Sequence, residues 1–368
     1  MTTRADTAPW DSVRSILLVR LDNAGDIVLL SPAVAAIRDA LPHARITLLA
    51  SVGGAAAAPL IEGVDAVLTH EAIWQQLQPG RVGPADEDRL IEMLRTHRFD
   101  AAFIFTSFSQ TAFAAAYACF LAQIPIRAGH AALFGGQLLT HEVPAPSARL
   151  HQAERALHLV RGVGFDVDDT RLRLCIPDAT EAEAGALLAE HDVSGPYVVI
   201  APGASAPARR YPAARFGEVA RGVHEVLGLP VLVVGSAREA ELVREVAAGA
   251  PGVLALAGRT SLPVAAALVA GARAVVANNS LSMHLADAFG VPVVATYSGT
   301  DPAERWTPRV APSRLLTRAT DCAPCFHIDC PRALECLDIL PADVVAAIGD
   351  LVGVPRTAAR RPARRVVA

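Results

Sequence analysis

The segment Leu21-Asp22-Asn23-Ala24-Gly25-Asp26 follows the apolar run Ile16–Arg20 and precedes a helix-length stretch that begins near Asp26. A carboxylate in the first turn of a helix is favoured by the helix dipole, and beyond the end of a strand it can serve as a general base. The same position also suits a plain helix cap. Asp22 is a second carboxylate candidate, with Asn23 and Gly25 beside it in the loop.

A second loop runs Ala201-Pro202-Gly203-Ala204-Ser205-Ala206-Pro207-Ala208-Arg209-Arg210-Tyr211-Pro212. Gly203 permits close backbone approach, and Ser205, Arg209 and Arg210 can hydrogen-bond phosphate oxygens. Pro212 then starts a helix over Ala213–Leu227. The alternative is a surface loop with solvated arginines. A third loop, Asn278-Asn279-Ser280-Leu281-Ser282-Met283-His284, precedes a helix reaching Phe289. Its hydroxyls and backbone N–H groups make a phosphate cradle at a helix N-terminus. His284 stands one turn in, as a ligand contact or a packing residue.

Cys322, Cys325, Cys330 and Cys336 fall within 15 residues. Such thiols can hold a structural zinc, or less readily an iron–sulfur cluster; otherwise they are reduced side chains that pack a loop together. Cys119 and Cys175 stand in apolar strings and read as core residues.

These loops need strands to place them. Strand candidates are Ser15–Val19, Ile46–Ala50, Ala66–Thr69, Ala101–Phe105, Tyr197–Ala201, Val231–Val234, Gly252–Ala255, Ala274–Ala277 and Val293–Tyr297. They are apolar on both faces and alternate with helical patterns, which predicts α/β architecture with parallel, doubly wound sheets. The pattern restarts at Tyr197 after a charged, turn-rich stretch. It therefore predicts two Rossmann-like domains, 1–180 and 190–345, facing across a cleft. Ligands of such sheets bind beyond the carboxyl ends of the strands, where all three loops lie. The Arg-rich end, 354–368, reads as a disordered tail.

Composition narrows the function. The chain has 368 residues, 52% apolar and 19% charged, with net charge −4, enough for two cores and unlike a disordered chain. The slight acidity argues against a nucleic-acid partner. There is no lysine, so all 33 basic residues are arginine and any anion site must use Arg, His or backbone N–H groups. Ala101–Ile126 is uncharged and long enough to span a bilayer, but its Ser, Thr, Gln and Pro residues divide it into a strand and a helix, Thr111–Leu121. No transmembrane segment is expected, and without an apolar leader the expected location is the cytoplasm. The oligomeric state is left open.

With these loops in hand, the sequence resembles glycosyltransferase family 9, the heptosyltransferase-like group, from Ile16 to about Ile348. The resemblance is carried by ILLVRLDNAGDIVLLSPAVAAIRDALPHARITLLAS, FDAAFIF followed by IPIRAGH, and PGASAPARRYPAARF. It continues through NNSLSMHLADAFGVPVVATYSGTDPAERW and the Cys run into LDILPADVV. It implies a GT-B fold and an inverting transferase that needs no metal cofactor and takes a nucleotide-activated sugar, typically ADP-heptose. Asp26 then matches the base that deprotonates the acceptor hydroxyl, and Asp22, Asn23 and Gly25 flank it on the acceptor side. Gly203, Ser205, Arg209 and Arg210 fall to the donor, with Arg209 where the family usually has lysine. The family motif Asn-Asp-Ser-Gly-x-x-His is matched by Asn278 to His284, with Asn279 in place of Asp and Leu281 in place of Gly. Losing that carboxylate removes a charge-assisted acceptor worth ~1–3 kcal/mol of sugar recognition. Asn278, Ser280 and His284 keep the pattern, and Ser280, Ser282 and the helix terminus remain to bind the diphosphate.

The implied partners are a nucleotide-sugar donor and an acceptor that is a glycan, a lipid-linked glycan or a glycosylated small molecule. A nucleotide-sugar-binding protein of the same fold without turnover is the alternative. A nicotinamide-dependent oxidoreductase would need Gly-x-Gly-x-x-Gly after a strand, and neither Ile16–Arg20 nor Tyr197–Ala201 is followed by it.

Overall fold

The computed structural model describes residues 10–76, 80–248, 250 and 252–353; the Arg-rich tail expected over 354–368 lies outside them. The chain divides into two compact units. One comprises the residues up to Ala184 with Ser261–Ala267 and Pro302–Val310; the other comprises Gly185–Thr260, Leu268–Asp301 and the residues from Ala311 onward.

The first unit holds β1 (Ser15–Arg20), α1 (Ala24–Ala40), β2 (Arg45–Ala50), α2 (Val52–Ala55), β3 (Ala66–Thr69), α3 (Pro84–His97), β4 (Ala101–Ile104), α4 (Phe113–Leu121), β5 (Ile126–Ala131), β6 (His141–Pro144) and α5 (Gln152–Gly162). Helix α6 (Asp178–Glu190) carries the chain onward to β7 (Val198–Ala201), α7 (Ala213–Leu227), β8 (Val231–Val233), α8 (Ala240–Ala248) and β9 (Val253–Ala255). Then follow α9 (Leu262–Ala270), β10 (Ala274–Asn278), α10 (Leu281–Phe289), β11 (Val293–Thr296), β12 (Ser313–Leu316) and α11 (Pro341–Val352).

Both sheets are parallel and six-stranded, in the orders β3-β2-β1-β4-β5-β6 and β12-β11-β10-β7-β8-β9. Counted from its own first strand, each sheet has the order 3-2-1-4-5-6 of a doubly wound nucleotide-binding fold. The order reverses between β1 and β4 in the first sheet and between β7 and β10 in the second. Connections leave to opposite faces on either side of that point and open a crevice at the strands' carboxyl ends. Leu18 pairs with Leu48 on one side and Phe103 on the other, so β1 is central and its residues from Ile16 to Arg20 are buried. Val276 is placed likewise between Ile200 and Val294.

The expected fold class is observed. Three strands were not anticipated: β5 (IRAGHA) is interrupted by Arg127, Gly129 and His130, while β6 and β12 are short edge strands, half-buried and polar. The uncharged stretch from Ala101 forms β4 and α4, and among the described residues no helix is long and apolar enough to cross a membrane. Cys119 is buried, and burial pushes its thiol up to about 12. Cys175 is exposed, contrary to the core reading. The backbone at Leu174 bridges to Ile61 while Leu172 takes the buried place, which turns Cys175 outward.

Candidate functional site

In the first unit the chemistry gathers beyond β1 and β4. Helix α1 begins at Ala24 with Asn23 as N-cap, so Gly25 and Asp26 lie in its first turn. Asp26 Oδ2 accepts the Asn23 N–H at 3.3 Å, which is the capping role. Its other oxygen, Oδ1, accepts from Arg20 Nη2 at 2.7 Å. Arg20 Nε lies 3.2 Å from Asp22 Oδ2, and Nη2 also donates to Ser107 Oγ at 3.0 Å. Gln110 Nε2 donates to Asp22 Oδ1 at 2.6 Å, and Gln110 Oε1 accepts the Ser107 N–H. Cap and candidate base are thus one carboxylate using different oxygens.

Burial disfavours the Arg20 charge, but Asp22 and Asp26 outweigh it and hold the guanidinium above its ordinary range. Burial raises the Asp22 carboxyl, with Arg20 opposing and Asp26 adding to the rise. Asp26 lines a narrow pocket with Arg20, Thr106, His130, Gln152 and Arg155. Asn23 is exposed at the rim.

In the second unit the corresponding loops leave β7, β10 and β11. Asn278 at the end of β10 ties them together: its Oδ1 accepts from the Tyr211 N–H and from Thr296 Oγ1, each at 2.9 Å, and its Nδ2 donates to Pro202 O at 2.7 Å. Tyr211 is anchored in turn by its hydroxyl, which donates to Ile339 O at 2.7 Å. Arg209 Nη2 donates to Asp301 Oδ2 at 2.6 Å and its Nε to Thr300 Oγ1 at 3.3 Å. Arg210 donates Nε and Nη2 to Ala204 O, so it braces its own loop. A Cβ at Gly203 would meet the Glu239 carboxylate, which Ser236 holds in place. Ser205 is exposed.

Ser280 is the N-cap of α10, and Leu281 and Ser282, half-buried, form its first turn. The N–H groups of that turn have no partner within the helix. Asn279 is buried, its Nδ2 donating to the Tyr297 hydroxyl at 3.2 Å. His284 is buried one turn in, and burial pushes its imidazole down to about 4, with Asp287 opposing and Arg209 adding to the fall. At neutral pH it is an uncharged imidazole beside Arg209.

The structure gives no support to a zinc or iron–sulfur site at the four cysteines. Among the described residues no group of three or more His, Cys, Asp or Glu side chains is placed to hold a metal ion. Cys336 is drawn into the apolar core with Leu337, Ile339 and Val344. Cys330 Sγ accepts the N–H groups of Arg332 and Leu334, each at 3.4 Å, while Cys322 Sγ contacts Thr320 Oγ1. Instead the segment straps the neighbouring loops: the N–H groups of Cys325 and Phe326 donate to Gly299 O and Thr300 O, and the Ala208 N–H donates to Ile328 O.

Residues that sequence reading passed over stand beside those it found. Arg20 reads as the last residue of a strand, and Thr300 and Asp301 as part of a turn after β11. Thr106, Gln110, His130 and Arg155 carry no local motif; only the sheet order brings them to Asp26.

A family model described as glycosyltransferase family 9 (heptosyltransferase) matches residues 88–334. The chain is 28% identical over 359 residues to lipopolysaccharide heptosyltransferase 2 of Salmonella typhimurium, covering 92% of this chain and 98% of that protein. Among solved structures it is similar to the ADP-heptose lipopolysaccharide heptosyltransferase II of E. coli, with a TM-score of 0.72 at 22% identity, covering 92% of this chain and 98% of that one. It is also similar to a family 9 glycosyl transferase from Veillonella parvula, with a TM-score of 0.73 at 20% identity, covering 92% and 97%. These likenesses show that the two doubly wound units are those of the GT-B fold.

Proposed function

The chain belongs to glycosyltransferase family 9, and on that premise we propose that it moves a heptose or related sugar from a nucleotide diphosphate donor to an acceptor hydroxyl. The donor is ADP-linked, a reading supported by the ADP-heptose enzyme of E. coli with which it shares its fold. The acceptor is a glycan of lipopolysaccharide type, free or lipid-linked, or a glycosylated small molecule. The first unit takes the acceptor and the second takes the donor.

One observation carries this reading. Asp26 lines a narrow pocket at the reversal point of the first sheet, its carboxylate held by Arg20 at 2.7 Å. There it removes the proton of the acceptor hydroxyl as that oxygen bonds to the anomeric carbon. The bond from that carbon to the diphosphate breaks in the same step, so the configuration inverts. Charge growing on the departing diphosphate is met by Arg209 and by the N-terminal turn of α10 with Ser280 and Ser282, without a divalent metal. Asn279 offers a neutral amide where the family has a carboxylate, and this loosens the choice of sugar.

The test is a thermal-shift panel of nucleoside diphosphates, followed by transfer assays with the sugar nucleotides that bind. A ligand at 100 times its dissociation constant stabilises the folded state by about 2.7 kcal/mol. ADP is expected to raise the midpoint and UDP and GDP to leave it unchanged. If no nucleotide has an effect at saturation, the transferase reading fails. A product that retains the donor's anomeric configuration overturns direct attack by a hydroxyl activated by Asp26.

A further inference from the structure

Beside Asp26, four buried side chains with unspent hydrogen-bonding capacity converge on one narrow pocket. Thr106 Oγ1, Gln152 Nε2 and His130 Nδ1 are buried without a hydrogen-bond partner, and all three residues line the pocket with Arg155. The residues are 7%, 4%, 5% and 5% exposed for Thr106, Gln152, His130 and Arg155 respectively. Arg155 Nε donates to Thr106 O at 2.9 Å, which fixes its guanidinium plane, yet among the described residues no carboxylate reaches it. His130 is also fixed, with Nε2 3.1 Å from His158 Nδ1.

A buried guanidinium without an anion is costly, because desolvation is unrelieved by a counter-charge. Arg155 feels this: burial and the neighbouring charges of Arg20 and Arg305 press its pKa down to about 10. The other charges facing it do not cancel it. Asp22 and Asp26 are both engaged by Arg20. Arg305 adds positive charge, lying over the Phe108 ring with its Nε donating to Ala148 O at 2.6 Å. A bridging water would satisfy the hydroxyl and the amide but would leave the excess positive charge in place. An anionic oxygen satisfies both requirements.

We infer that Arg155, Thr106, Gln152 and His130 form an anion subsite that holds one oxygen of a carboxylate or phosphate carried by the acceptor, next to the hydroxyl that Asp26 deprotonates. This rests on the proposed transferase reading for its place in the reaction, but the subsite is detectable without turnover. The pocket has room for about one water-sized group, so it seats a single oxygen and leaves the sugar ring outside. The subsite selects acceptors by a charge adjacent to the reacting hydroxyl and positions that hydroxyl against Asp26.

The experiment titrates inorganic phosphate, and separately acetate, into the full-length protein, the Arg155→Gln variant and the Thr106→Val variant. Binding is followed by calorimetry, with and without saturating ADP. Phosphate or acetate is expected to bind the wild type, about tenfold or more weakly to Arg155→Gln, and more weakly to Thr106→Val, with ADP affinity unchanged throughout. Which of the two anions shows this dependence tells whether the acceptor carries a phosphate or a carboxylate. Anion binding equal in all three proteins overturns the subsite. Should Arg155→Gln fail to fold, Thr106→Val decides, since it keeps the backbone carbonyl that anchors Arg155. If ADP does not bind the wild type but the anion still depends on Arg155 and Thr106, the transferase reading has failed and the subsite stands.

Discussion

Arg20 Nη2 donates to Asp26 Oδ1 at 2.7 Å, while the opposite side of the same guanidinium faces Asp22 Oδ2 at 3.2 Å. One buried cation at the end of a central strand therefore aligns two carboxylates. Asp22 is also tied to Gln110, and Asp26 lines the narrow pocket it shares with Thr106, His130, Gln152 and Arg155.

Asp26→Asn keeps the N-terminal cap of α1 and removes the base. We expect kcat to fall about 100-fold or more with ADP affinity unchanged. Steady-state kinetics beside nucleotide calorimetry check this, and undiminished turnover would falsify the assignment of the base.

Asp301→Ala releases Arg209 from its partner in the loop after β11. The donor KM is expected to rise about tenfold, the equivalent of ~1.4 kcal/mol, with the acceptor KM unmoved. Arg209→Ala should produce the same split. A rise confined to the acceptor KM would place this loop on the wrong substrate.

Asn278→Ala strands the Tyr211 N–H and the Pro202 carbonyl in a buried setting. Two lost partners of this kind cost about 2–4 kcal/mol, read as a lower midpoint for the second unit in denaturant. A loss below half a kcal/mol would show that the loops are held by other means.

Two buried histidines set an acid limit to stability. Burial pushes His130 down to about 3 and His284 to about 4, both below the ordinary value of 6.5. In this range the unfolded chain binds the protons, so stability is full above pH 6.5 and drains away as pH falls towards 4 for His284 and 3 for His130. Each contributes a loss of about 2 kcal/mol between pH 7 and pH 5. Denaturant melts at the two pH values check this, and His284→Asn should flatten the slope of the second unit.

On the proposed mechanism Arg209 and the α10 terminus stand in for a divalent cation, so activity measured after exhaustive chelation should match that of untreated enzyme. Restoration of lost turnover by added magnesium would overturn this part of the proposal.

Strand positions and the three loops were legible from residue patterns because buried parallel strands read as short apolar runs. The charged strands were not: β5 buries Arg127, whose donors reach the carbonyls of Ile124, Leu138 and Gln137. No local pattern announces such compensation. The Cys-rich segment left two readings open because its spacing suits ligands or packing alike, while in the fold its backbone N–H groups and one core-directed thiol hold the neighbouring loops.

By itself, the sequence determined which residue types were available at the strand ends: Asp26 at a helix start, arginine as the sole basic residue beside His, and hydroxyls before α10. Those are properties of short segments, decided by local backbone geometry and composition. Tertiary structure decided the company they keep. The order β3-β2-β1-β4-β5-β6 sets β4 against β1 although 80 residues, Leu21 to Asp100, lie between them. That pairing is what delivers Thr106, and through it Arg155, to Asp26. Charge pairing and burial act through space, so the raised carboxyl of Asp22, the hold of Arg20 on Asp26 and the unspent charge of Arg155 arise only once the sheet has closed around them.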